Sequence, residues 1–164
     1  MKFFKALFGN KEEKPEEKKK NEEAKNFDVL KYDGVRALRA GQAEYAIRCF
    51  THALEMQDDL EIHDYMSQAY IRTGELTKAY EHLQKLAEAQ PDNQQIFIRM
   101  ANVAYMMEDY GAMAGACEKA MLIDNKTPEV MYLYARACIG QDDVTNAVAM
   151  LLSLIHISEP TRPY

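Results

Sequence analysis

The chain has 164 residues, 48% of them hydrophobic and 28% charged, with only seven Gly and five Pro, no Trp and a formal net charge of -6. So few chain breakers favour long helices over strands, and the acidic balance argues against nucleic acid as a partner. Three cysteines, Cys49, Cys117 and Cys138, form no C-x-x-C pair, which speaks against a disulfide framework and for a reducing compartment.

Residues 1–26 are read as a disordered charged tail. Eight Lys and six Glu give this stretch a net charge of +2, leaving -8 on the rest of the chain. Most of it is lysine and glutamate, which bury too little apolar area to offset ordering, although Glu and Lys four residues apart favour transient helix. Its first residues are apolar and basic. They are too short for a membrane span or a signal peptide, but Phe3, Phe4, Leu7 and Phe8, with Lys2 and Lys5, suit a weak, reversible contact with an anionic membrane surface. The expected location is cytoplasmic, with that contact at the inner face of the membrane.

From residue 27 apolar positions recur at i, i+3, i+4 and i+7, and no period-two run bounded by turn residues interrupts them. This predicts helices over 27–40, 43–56, 60–73, 76–89, 94–107, 110–123, 128–140 and from 143 onward. One pattern returns along them: Ala46, Phe50 and Ala53; then Ala79, Leu83 and Leu86; then Met113, Cys117 and Ala120; then Ala147 and Leu151. The leading residues are 33, 34 and 34 positions apart. A single hairpin cannot bury its own apolar face, so a period of this length means that each hairpin borrows surface from the next.

The spacing resembles the tetratricopeptide repeat (TPR). Gly34, Ala37, Gly41, Ala46, Phe50 and Ala53 match its pattern in the first unit, and Ser67, Tyr70, Gly74, Ala79, Leu83 and Pro91 in the second. Ala101, Ala104, Tyr110, Met113, Cys117 and Ala120 keep the sizes in the third, where Glu108 replaces the turn glycine and Asn125 the proline. Ala135, Cys138, Val144, Ala147 and Leu151 begin a fourth. The resemblance implies an all-α fold, an α-solenoid of about three and a half TPR helical hairpins over 27–151, in a chain of bacterial type. Residues 152–164 break the frame and resemble translated sequencing adapter, so the expectation is a truncated reading frame with an artefactual end.

No nucleophile elbow, phosphate loop, dinucleotide motif or H-E-x-x-H occurs, and His52, His63 and His82 are scattered in sequence. No enzyme activity, cofactor or metal is expected, and Asp58, Asp59, Asp142 and Asp143 read as helix caps. Met66, Met100 and Met113 read as core, with Met106 and Met107 towards the surface. What remains is display. The family's inner face is built from the first helix of each repeat, and the resemblance places Lys31, Arg39, Tyr65, Gln68, Arg72, Arg99, Asn102, Tyr105, Tyr132 and Arg136 there. Arginine forks onto carboxylates, tyrosine adds contact area at low entropic cost, and amides pair with extended backbone. The expected partner is a protein or peptide with acidic residues, unless these side chains are neutralised by Glu61, Asp64 and Glu129 on the same face. Relatives that grip the tails of heat-shock chaperones use a basic and amide clamp; Lys31 and Arg99 fit it, whereas Val35, Tyr65 and Gln95 depart from it. The expected function is a non-catalytic scaffold. The alternatives are the regulatory or assembly part of a longer protein, and a self-associating repeat unit.

Overall fold

Four hairpins repeat one turn. In each, a backbone N–H reaches back five residues to close the end of the first helix: Gln42 to Ala37, Glu75 to Tyr70 and Asp109 to Ala104 at 2.9 Å, and Asp143 to Cys138 at 2.8 Å. This bond needs a left-handed residue just past the helix. Gly41 and Gly74 supply it at φ 79°, and Glu108 and Asp142 adopt it at φ 58° and 60°.

The computed structural model describes residues 14–158. These form α1 (Pro15–Arg39), α2 (Ala43–Met56), α3 (Leu60–Thr73), α4 (Leu76–Ala89), α5 (Gln94–Met106), α6 (Tyr110–Ile123), α7 (Pro128–Gly140) and α8 (Val144–Ser158), with no strand among the described residues. Each helix packs on the next in the chain, and α1 also meets α3 as α5 meets α7. The fold is an α-solenoid of TPR-type hairpins.

One boundary differs clearly from expectation. The tail was expected to be disordered to residue 26, yet α1 already begins at Pro15. Proline at the first helical position, Glu16 and Glu17 in the first turn, and Glu16 four residues before Lys20 supply local reasons for this extension. Residues 15–26 are all exposed, and Phe27 is the first side chain of α1 to be buried. At the other end α8 runs from Val144 to Ser158, in line with the helix expected from 143 onward.

The core is one line of side chains from Phe27 to Ala137. Ala46, Phe50, Ala53, Ala79, Leu83, Met113 and Ala120 are fully enclosed. Full burial of a leucine or phenylalanine contributes about 1.5–3 kcal/mol. The recurring alanines have a different task, since their size sets how closely two helices approach. Gly34 shows the limit: a Cβ there would lie 2.5 Å from the Phe50 ring. Met66, Met100 and Met113 are buried and Met106 is exposed. On the outer side of the last hairpin, Val144, Val148, Leu151, Leu152 and Ile155 of α8 are exposed.

Loops on the opposite side from the hairpin turns join one unit to the next. Asp59 caps α3 by accepting from the Ile62 N–H at 3.0 Å. Gln94 braces the loop after α6, donating to the Ala120 and Asp124 carbonyls at 2.9 and 2.8 Å while accepting from the Thr127 hydroxyl at 2.9 Å.

Candidate functional site

All ten expected groove residues lie on the first helices, α1, α3, α5 and α7. They fall into three groups by what holds them. Phe3, Phe4, Leu7 and Phe8 lie outside the described residues.

The first group is neutralised within the chain. Lys31 pairs with Asp59 at 2.9 Å and Glu61 at 2.7 Å. The Tyr65 hydroxyl donates to Glu61 at 3.0 Å while its ring stacks on Phe50 at 5.7 Å between centroids. Arg99 donates to Asp64 and, at 2.7 Å, to Ser67 Oγ, and Gln68 donates to the second oxygen of Asp64 at 3.3 Å. Glu61 and Asp64 therefore act as internal counter-charges, as the alternative reading anticipated, but Glu129 holds none of these residues. Hydrogen bonds from Lys31 and Tyr65 keep the Glu61 carboxyl below its ordinary range.

The second group has neutral or no protein partners. Arg72 crosses to α1 and donates to the Leu38 carbonyl, which satisfies hydrogen bonding without cancelling charge. Arg39 is exposed and forms no ion pair among the described residues. Asn102 turns back to the Ile98 carbonyl of its own helix at 3.0 Å.

The third is an aromatic clamp. The Arg136 guanidinium lies 3.9 Å from the centre of the Tyr105 ring and 5.6 Å from that of Tyr132. Both rings are exposed, at 37% and 48%. Tyr105 sits on α5 and Tyr132 on α7, so the clamp spans two repeats.

One partly buried polar cluster was not legible. The histidines looked scattered and Asp58 looked like a cap, yet α3 and α4 bring His63 Nδ1 within 2.7 Å of His82 Nδ1, and His63 Nε2 lies 2.7 Å from Asp58. Neutral rings satisfy both contacts in one arrangement, with His82 donating to His63 and His63 donating to Asp58. Tyr70 stacks on His82 at 5.6 Å. The signal lay in hairpin geometry rather than motif, because the partners are 19 residues apart.

The cysteines are small core residues. All three are buried and free, and burial, with Cys138 and Glu118 nearby, pushes the Cys117 thiol up to about 12. Such a thiol is a poor nucleophile at neutral pH. No described helix is long and apolar enough to cross a membrane.

No protein-family model and no curated protein sequence matches the chain. Solved structures of MamA do match it in shape. One superposes with a TM-score of 0.70 at 16% identity, covering 80% of this chain and 78% of that one. The chain shares its fold with MamA. A MamA structure from AMB-1 in the P212121 crystal form gives 0.74 at 15% identity over 83% and 75% of the two chains. MamA 41-end from Desulfovibrio magneticus RS-1 gives 0.69 at 17% identity over 81% and 76%. At these identities the likeness is one of fold.

Proposed function

We propose that the chain is a non-catalytic TPR scaffold that holds a protein or peptide partner along its first helices, in the cytoplasm. The observation that carries this reading is the contrast between a rigid stack of hairpins and the uncancelled display on α5 and α7, where Tyr105 and Tyr132 are exposed around Arg136. Exposed aromatic and arginine side chains on a fixed frame give contact area and direction at small ordering cost. Arg39 and Arg72 extend the same positive character towards α1, which favours acidic residues in the partner. The neutralised group around Asp64 suits amide and backbone contacts instead, with Gln68 as the adaptable side chain.

The test is site-specific photo-crosslinking in a lysate of the source organism. A crosslinker at Gln68 or Tyr132 should capture a defined partner, while one at Arg48 or Lys85, exposed on the second helices, should not. Equal capture from both sets, or none from the first helices, would refute the reading.

A further inference from the structure

Arginines on the first helices differ in what they can still bind. Arg99 is already paired with Asp64 and donates to Ser67, so an incoming acid would have to compete with a carboxylate already in place. Arg136 forms no ion pair with any described carboxylate, Glu129 on its own helix face and Asp142 and Asp143 beyond the end of α7 included. Its contacts are the two tyrosine rings. Stacking occupies the flat face of a guanidinium and leaves the N–H donors at its rim. No buried side-chain nitrogen or oxygen among the described residues lacks a hydrogen-bond partner, so these unpartnered donors are open to solvent.

We propose that Arg136, held between Tyr105 and Tyr132, is the receptor for a carboxylate side chain of the bound peptide, and that Arg99 is not. This rests on the scaffold reading and assigns the ligand chemistry of one place within it. A planar fork meets a planar carboxylate through two parallel bonds, and two rings from neighbouring repeats fix its plane before the ligand arrives. Lysine at this position would keep the charge and lose the plane.

Fluorescence anisotropy of the full chain with fluorescein-labelled hexaglutamate, and with hexaglutamine as the uncharged probe, tests this. Hexaglutamate should bind at least about tenfold more tightly than hexaglutamine, with the difference shrinking as salt rises. Arg136→Lys should cost about tenfold and Tyr105→Leu several-fold. Arg48→Lys should leave binding unchanged, since Arg48 also stacks on a tyrosine, Tyr45 at 5.5 Å, but on a second helix. Thermal melts of each variant separate lost binding from lost folding. Hexaglutamate binding that survives Arg136→Lys but falls with Arg99→Lys overturns the assignment. No preference for hexaglutamate over hexaglutamine in the parent chain also overturns it. In that case crosslinking from Gln68 and Tyr132 still decides the scaffold reading independently.

Discussion

Glu108 holds a left-handed backbone, φ 58°, at the turn position where the first two hairpins carry glycine. A Cβ in that region crowds the following carbonyl and costs on the order of 1 kcal/mol, a penalty glycine escapes. Glu108→Gly should therefore stabilise the chain by about 1 kcal/mol, read as a higher urea midpoint with an unchanged slope. A lower midpoint would mean that the side chain contributes more than its backbone costs. This departure was visible in the sequence, because the repeat frame marks where a turn glycine belongs. The partners of the arginines were not. The frame says which face a side chain occupies, but whether it meets an acid, a carbonyl or a ring depends on the offset between neighbouring first helices. Arg99 finds Asp64, Arg72 finds the Leu38 carbonyl, and Arg136 finds Tyr105.

Helix boundaries were legible wherever packing sets them. The expected 43–56, 60–73, 76–89, 110–123 and 128–140 coincide with α2, α3, α4, α6 and α7, because the apolar stripe and the turn residues both point to the same limits. Only the start of α1 was missed: an exposed helix of charged residues has no apolar stripe to read. The second hairpin held the other surprise. Burial, with His63 and Lys85 adding to it, pushes the His82 imidazole down from 6.5 to about 4. The neutral ring is thus the folded form, and between these values the unfolded chain takes up a proton that the folded chain does not. Stability from this ring is complete above pH 6.5 and is lost as pH falls towards 4. Asp58 on the far side of His63, and Tyr70 with Lys78 over its ring at 5.3 Å, are the other charged or titratable groups of the cluster. Between about pH 7 and about pH 4.5 the parent chain should lose roughly 2 kcal/mol more than His82→Gln does in urea unfolding. Parallel losses in the two proteins would place the acid sensitivity elsewhere.

Across the whole molecule, charge is divided unevenly. The first 26 residues carry +2 and the remainder -8, so an anionic membrane repels the repeats and attracts the tail. The exposed part of α1 lies between the apolar start of the tail and the repeats: 12 residues at about 1.5 Å each span ~18 Å, beyond the roughly 8 Å screening length of physiological salt. We therefore predict weak sedimentation with anionic vesicles at low salt, abolished by Leu7→Glu because the apolar contact is lost. Vesicle binding that persists in Leu7→Glu would rule out that contact. The repeats themselves are fastened only to their neighbours, with the same turn bond closing each hairpin. Since no distant segments are stitched together among the described residues, a whole hairpin could be spliced in or out of the middle and its flanks would still find surfaces of the kind they had before. Reach is therefore a modular property in this architecture, open to change by duplication without redesign of the rest.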